Sequence, residues 1–231
     1  METAYHPAFQ SRVPFRFEWL PDSPDGQVRA TIHRMIHYIR SDAGSALIRD
    51  AARQALELGS GDAISGTWQL VKRSMKFQRD DKIAADLETP EGDTRKFETV
   101  EVLIRPIDQA LLIKMRGMGI EDCDGYEMYA ACILTALQVP CSLVTVAADR
   151  EDPTRFSHVY LAAYPDGFSG RRIPLDFSHG SHIGWECPNL GKKKEWEVPY
   201  TRKEGAVTGI VALSVLGILY AGLRLMGKES L

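Results

Sequence analysis

The residues best suited to chemistry surround Cys123, in the stretch I-E-D-C-D-G-Y that begins at residue 120. An acidic turn, an apolar run and then Val139-Pro140 predict a helix that begins at or next to Cys123 and stops before a strand. A cysteine at a helix start lies among free backbone N–H groups at the positive end of the helix dipole, which favours thiolate over thiol. The position therefore predicts a nucleophile, provided that a base and a group that orients it lie nearby.

His158 is the candidate base, and Asp176 is the candidate group that orients it. His158 lies in F-S-H-V-Y-L-A-A-Y, and Asp176 ends the next apolar stretch, R-I-P-L-D. Both stretches predict β-strands, and because neighbouring antiparallel strands lie about 4.8 Å apart, the two side chains can meet. The acid would fix the imidazole tautomer and the histidine would take the thiol proton. Backbone N–H groups at the start of the Cys123 helix would stabilise an oxyanion.

The order of elements, helices first and strands afterwards, predicts an α+β fold with N-terminal helices packed on an antiparallel sheet. Apolar spacing predicts helices over about 28–39, 45–58 and 62–79, and another that begins near Pro106. Strands are predicted at 141–148, 156–164 and 171–176. Residues 80–96 and 177–204 are polar and rich in Gly, Pro or Lys, which predicts loops.

Composition sets limits on the class of protein. The chain has 231 residues, 44% hydrophobic and 26% charged, which are values for one globular domain. A net charge of -3 and the lack of a nucleic-acid-binding motif argue against a nucleic-acid partner. Four cysteines in a chain this long indicate reduced thiols rather than a disulfide scaffold. Prolines break residues 1–26 into a predicted irregular arm, which lacks the apolar region of a secretory signal.

The C-terminal composition changes sharply at residue 205. Residues 205–223, GAVTGIVALSVLGILYAGL, carry no charge, and their length suits a bilayer core of ~30 Å. We therefore predict a catalytic domain over 27–190, a basic linker over 191–204 and a single transmembrane anchor over 205–226, with a buried C-terminal helix as the alternative. The cationic residues before the segment outnumber those after it, so the domain is expected on the cytoplasmic side. Gly205 and Gly209 form a G-x-x-x-G, a spacing found where membrane helices pair.

The motifs together resemble the transglutaminase-like superfamily. The matching residues are E-D-C-D-G-Y, A-A-C-I-L-T-A-L-Q-V-P, F-S-H-V-Y-L-A-A-Y and I-P-L-D, within residues 62–186. The resemblance implies a papain-like fold with a Cys123-His158-Asp176 triad and acyl transfer through a thioester, on a protein or peptide substrate. It implies neither a cofactor nor a metal. Peptidase or amidase activity ranks above cross-linking, because nothing in the sequence indicates a site for an amine acceptor.

Three residues depart from the family's pattern. Glu121 stands where the cysteine block usually has Gly, Gly125 where it usually has Asp, and Gln138 where the helix usually ends in Gly. Glu121 is expected to add negative charge near the thiol and to oppose thiolate formation. The departures leave open a second hypothesis, a non-catalytic structural or interaction protein, such as a membrane-attached part of a virus particle or another large assembly.

Other reactive residues have simpler explanations. Cys132 and Cys141 lie in apolar stretches and are expected in the core. Cys187 lies close to His179 and His182, but without a fourth ligand of suitable spacing this group is not expected to bind zinc. Trp68 matches an aromatic residue that the family often places before the cysteine, and packing is its expected role.

Overall fold

Capping residues begin the first three helices. Ser23, Ser45 and Asp62 each precede a helix, and their side chains accept the backbone N–H three residues on, at 2.9 to 3.3 Å. Helix starts commonly satisfy their free N–H groups in this way. Pro24 occupies the first position of the first helix, where its lack of an N–H leaves no bond unmade.

The computed structural model describes residues 2–9, 11–15, 20–86 and 101–199. The helices within them are α1 (Pro24–Asp42), α2 (Ala46–Leu58), α3 (Ala63–Ser74), α4 (Asp80–Ala85), α5 (Pro106–Arg116) and α6 (Cys123–Ala136). The strands are β1 (Glu2–His6), β2 (Ser11–Phe15), β3 (Met75–Phe77), β4 (Gly119–Glu121), β5 (Cys141–Val146), β6 (His158–Ala163), β7 (Ile173–Leu175) and β8 (Lys193–Glu197). The chain divides into two compact units, Met1–Tyr200 and Thr201–Leu231, and the second lies outside the described residues.

The main sheet has the strand order β7-β6-β5-β8, and all its neighbours are antiparallel. One face of β5 and β6 packs into the main core through Leu143, Val159 and Leu161. The opposite face forms a smaller cluster that includes Val144 and Tyr160. This alternation is what the period of two along a strand requires. The predicted α+β class with an antiparallel sheet is confirmed.

Helix α6 lies at the centre of the domain. Every residue from 124 to 134 is buried, because α1, α2, α3 and α5 contact the helix together with β5 and β6. Its N-terminus, with Cys123, therefore lies against the start of β6, with His158. The packing of this helix on the sheet positions the candidate site.

Two predictions near the N-terminus are wrong. Residues 2–15 form a hairpin of β1 and β2 joined by the 3-10 turn Pro7–Phe9, not an irregular arm. Pro14 fits there because a two-stranded sheet has only edge strands, which tolerate a missing N–H. Helix α1 also begins at Pro24, inside the predicted arm.

Three later boundaries also differ from the predictions. Helix α3 ends at Ser74 because residues 75–77 pair in parallel with 119–121 as β3 and β4. The predicted loop 80–96 contains α4, with Asp80 and Asp81 in its first turn, where the helix dipole favours acids. The predicted loop 177–204 and linker 191–204 contain β8, which pairs with β5 from Ser142↔Glu197 to Val146↔Lys193. Its polar, mostly exposed residues gave no periodic apolar signal.

The predicted anchor, residues 205–226, lies outside the described residues. Among the residues that are described, no helix combines the length and the apolar character needed to cross a bilayer.

Candidate active site

Cys123 is the first residue of α6, as predicted. The side chain of Asp122 caps the helix by accepting the Asp124 N–H at 3.1 Å. The thiol is partly buried, and β6 contacts α6 here, so that the backbone N–H of Val159, one residue beyond His158, acts to lower the thiol pKa. Strand β6 is therefore held against the helix start at the point where the chemistry is expected.

His158 and Asp176 form a buried pair. Strands β6 and β7 are antiparallel neighbours, with Leu161 opposite Leu175, so Asp176 follows the end of β7 beside the start of β6. The two side chains meet with 2.6 Å between Nε2 of His158 and Oδ2 of Asp176. Their side chains are 6% and 0% exposed. The neighbouring strands thus bring together the predicted base and orienting acid.

The other oxygen of Asp176 is also fully engaged. Oδ1 accepts the backbone N–H of His179 at 2.8 Å and the hydroxyl of Ser178 at 3.1 Å. Burial acts to raise the pKa of Asp176, but the hydrogen bond and charge of His158, with these two donors, hold it below its ordinary value. Asp176 is therefore an ionised acceptor at neutral pH.

The loop that carries Asp176 is held by two polar side chains from the helices beneath it. Lys72 of α3 donates to the carbonyls of Phe177 and Gly180, at 3.1 and 3.0 Å. Glu127 of α6 accepts the Phe177 N–H at 2.7 Å. Trp68 packs its ring against Phe177, with 5.2 Å between the centroids, which fits its predicted packing role.

A cavity of about 270 Å³ gives access to the site. It lies between the first turns of α1, the start of α6 and the chain that enters β6, and both Cys123 and His158 line it. Within the described residues no hydrogen bond joins Sγ of Cys123 to the imidazole of His158. In the structure a hydrogen bond therefore joins His158 to Asp176, and Cys123 lies on the wall of the cavity that His158 also lines.

Acidic residues surround the thiol. Burial raises the pKa of Cys123 well above its ordinary value, and the negative charge of Asp122 raises it further. The Val159 N–H acts in the opposite direction, but the net shift is upward. The structure does not support the expectation that the helix start favours the thiolate, because burial and neighbouring carboxylates raise the thiol pKa.

Glu121 and Gly125 occupy one space between them. A Cβ placed on Gly125 would lie 1.4 Å from Cγ of Glu121. Glu121 is fully buried, accepts the Ile104 N–H at 2.7 Å, and has a pKa raised well above its ordinary value, first by burial. The raised pKa favours the neutral form of Glu121, and the charges that raise the thiol pKa are those of Asp122, Glu101 and Glu127 rather than that of Glu121. The side chain of Glu121 thus fills the space beside Gly125 that a side chain at position 125 would need.

The two halves of the site differ in their residues. The base end consists of His158, Asp176 and His179. The thiol end consists of Cys123, its chain neighbours Asp122 and Asp124, and the carboxyl groups of Asp80 and Glu121, which interact electrostatically with Asp122. Within the described residues, one buried oxygen each of Asp80, Glu121 and Asp124 has no hydrogen-bond partner.

His179 is the site residue that sequence reasoning missed. Its ring stands edge-on to that of His158, with 4.8 Å between the centroids and 88° between the planes. Burial and the charge of His158 lower the pKa of His179. The sequence placed His179 with His182 and Cys187 only because they are close in the chain. Its position three residues after Asp176, where its backbone N–H donates to that carboxylate, could have indicated that it lies near His158.

The remaining cysteines follow the predictions. Cys132 and Cys141 are fully buried in the main core, and burial raises the pKa of both thiols. Cys187 is partly buried, and burial raises its pKa to about 11. Cys123 is thus distinguished by its cavity and by its neighbour on β6.

The chain matches no protein-family model and no curated protein. Among solved structures it is similar to a Rad4-Rad23 complex bound to a 6-4 photoproduct UV lesion, with a TM-score of 0.39 and 14% sequence identity. The similarity covers 68% of this chain and 38% of that chain. A TM-score of this size carries no argument about function.

Proposed function

We propose that the chain is a cysteine-dependent acyl-transfer enzyme that acts on amide bonds in a protein or peptide. Cys123 is the nucleophile, His158 the general base and acid, and Asp176 the acid that orients the imidazole. The observation that supports this most directly is the buried His158–Asp176 hydrogen bond of 2.6 Å, at a cavity that Cys123 also lines.

The proposed reaction begins from a neutral thiol. As Sγ of Cys123 attacks the amide carbonyl, its proton moves to Nδ1 of His158, the ring nitrogen that Asp176 does not use. Backbone N–H groups at the start of α6 stabilise the oxyanion of the tetrahedral intermediate. The imidazolium then protonates the leaving amine, the C–N bond breaks, and a thioester remains on Cys123. Water or an amine attacks the thioester, gives its proton to His158, and releases Cys123 as a thiol.

The raised thiol pKa defines when the proton moves. A free thiolate is disfavoured at the thiol end, so proton transfer to His158 accompanies the attack rather than preceding it. Asp176, held ionised by its three donors, stabilises the imidazolium that forms. This makes His158 necessary for the first step.

A second function from another class is a non-catalytic protein that retains this fold. The acidic surroundings of Cys123 favour it, because the groups that raise the thiol pKa also oppose thiolate formation. In this alternative the domain is a structural or interaction part of a larger assembly, for instance at a membrane.

The proposal includes a location. The segment 205–226, uncharged from 205 to 223, would anchor the chain, and the preceding cationic residues would keep the domain on the cytoplasmic side. In sealed vesicles, protease added on the cytoplasmic face should digest the domain. Extraction of the full chain without detergent would contradict the anchor, and digestion from the opposite face would contradict the orientation.

The function is tested by turnover of a peptide library. The full chain and C123A are incubated with the library and a small primary amine, and the products are identified by mass spectrometry. We expect cleaved or deamidated peptides, or amine adducts, from the wild type and none from C123A. Identical products from both proteins, each shown to be folded, would contradict catalysis and favour the non-catalytic function.

A further inference from the structure

The base end contains more than a base and its orienting acid. His158, Asp176 and His179 each present one ligand atom, an imidazole nitrogen or a carboxylate oxygen, and these atoms all lie within 4.8 Å of one another. Two imidazoles and one carboxylate are a common ligand set for zinc, with distances of about 2.0–2.2 Å from metal to ligand. We propose that these three residues form a binding site for a divalent transition-metal ion of the zinc class.

The neighbouring groups orient two of the three ligands. The hydroxyl of Ser178 lies 2.8 Å from Nδ1 of His179 and donates to Oδ1 of Asp176 at 3.1 Å. Within the described residues, Nε2 of His179 has no hydrogen bond, so this nitrogen is available to a metal. Bonds of this kind from outside the ligand set fix ring orientation in metal sites.

The site is accessible from one side and rigid on the other. His179 is exposed, whereas Asp176 is fully buried and His158 is 9% exposed. Lys72 and Glu127 hold the backbone of the loop that connects Asp176 to Gly180. An ion can therefore approach past His179, and solvent can supply the fourth ligand of a tetrahedral site.

This ligand set differs from the one that proximity in the sequence offered. His182 and Cys187 lie close to His179 in the chain, but within the described residues only His158 and Asp176 join His179 as a metal-binding group. His182 and Cys187 therefore serve as matched controls from the same segment.

Metal binding would compete with acyl transfer. The ion takes the place of the proton shared between His158 and Asp176, because a ligand atom cannot bind a metal and a proton through one lone pair. The imidazole then cannot accept the proton of Cys123. This inhibitory consequence rests on the proposed function, whereas metal binding itself does not.

The first experiment measures metal binding alone. The chain is prepared without a histidine tag, freed of metal with EDTA, exchanged into chelator-free buffer, and titrated with Zn²⁺ in competition with a fluorescent chelator. We expect one Zn²⁺ per wild-type chain, a loss of about 10- to 100-fold in affinity for H179A and H179Q, and wild-type affinity for H182A and C187S. Circular dichroism confirms the fold of each variant.

Equal affinity of H179A and the wild type would contradict the site, as would the absence of competition by the wild-type chain. A loss of affinity in H182A or C187S would assign the ion to other ligands. A second measurement tests inhibition: Zn²⁺ should slow acylation of Cys123 by an activated ester in the wild type, and much higher Zn²⁺ should be needed in H179A. If Cys123 is not acylated at all, the proposed function fails while the measured stoichiometry still decides the metal site.

Discussion

The base end and the thiol end of the candidate site are neighbours, but their carboxyl groups differ in hydrogen bonding and in the direction of their pKa shifts. Both oxygens of Asp176 are hydrogen-bonded, and the pKa of this carboxyl lies below its ordinary value. At the thiol end, burial and mutual repulsion raise the pKa of Asp80 to about 8, and raise those of Glu121 and Asp124 well above their ordinary values. The base end holds a carboxylate that is already hydrogen-bonded, whereas at the thiol end burial favours the neutral form of three carboxyl groups.

The difference shows how burial alone does not decide the ionisation of a carboxyl group. Asp176 and Glu121 are both completely buried. Asp176 accepts three hydrogen bonds, whereas Glu121 accepts one, from Ile104, and faces other acids. The number of donors and the sign of the neighbouring charges decide the result. An ionised Asp176 beside a neutral thiol suits a reaction in which the thiol proton moves to His158 only as the bond to carbon forms.

The largest expected effect is on turnover at the base end. Replacing Asp176 by Asn keeps the shape of the side chain but removes the charge that orients and stabilises the imidazolium. We expect D176N to lower the rate of amide turnover by about 10²- to 10⁴-fold, with its fold retained. The same change at Asp166, an exposed acid in a turn, is the control and should leave the rate unchanged. A D176N rate within threefold of the wild type would remove Asp176 from the mechanism.

The next largest effect is on packing at the thiol end. G125D introduces a side chain into the space that Glu121 fills and should lower the free energy of unfolding by about 3 kcal/mol. G44D is the control, because nothing lies within 4 Å of a Cβ at that position. The double variant E121G/G125D should recover at least half of the loss, measured by urea denaturation. If G125D lowered the free energy of unfolding equally in the wild type and in E121G, the two positions would be independent.

The pH dependence of the free energy of unfolding tests the ionisation of Asp80 at the thiol end. The folded-state pKa of Asp80 is raised from 3.8 to about 8, so the neutral form stabilises the fold at low pH. That contribution decreases as the pH rises between these two values. D80N cannot ionise and retains the acceptor for the Val102 N–H, so its advantage should appear at pH 8, at about 1–3 kcal/mol, and vanish near pH 4. An advantage equal at both pH values would contradict the assigned ionisation.

The smallest effect lies at the opposite end of α6. Gln138 has φ of 61°, in the left-handed region that favours glycine. Q138G should raise the free energy of unfolding by about 1 kcal/mol, whereas Q138A, which keeps the Cβ, should bring no gain. Neither change should alter the acylation rate of Cys123, because Gln138 lies beyond the far end of the helix. A changed acylation rate would show that the C-terminal end of α6 influences the reactivity of Cys123.

The sequence predicted those features that depend on local chemistry. The helix start at Cys123, the antiparallel pairing of β6 and β7, and the meeting of His158 with Asp176 all follow from periodicity and strand spacing. It did not predict β8, because the polar residues of this strand lack a periodic apolar pattern. Strand β8 pairs with β5, although it begins 47 residues after β5 ends. Long-range pairing of a polar edge strand leaves almost no local signal.

The sequence also did not predict the ionisation and the packing of the thiol end. The helix dipole was visible at Cys123, but the acids that act on the thiol were not, because one of them, Glu101, is contributed by a distant segment of the chain. Likewise the sequence did not show that Glu121 and Gly125 share one space, because residues four apart meet here only through the turn from β4 into α6. Electrostatics summed over distant segments requires the three-dimensional structure.

The central claim, that His158 activates Cys123, is tested most directly by acylation resolved by site. The full chain and H158A are treated with p-nitrophenyl acetate at pH 7, and mass spectrometry measures the acetyl group on Cys123 and, as an internal control, on Cys187. The account predicts acetylation of Cys123 about 10²- to 10⁴-fold slower in H158A, with the slow reaction of Cys187 unchanged. Equal rates at Cys123 in the two proteins, or faster reaction at Cys187 than at Cys123, would contradict it.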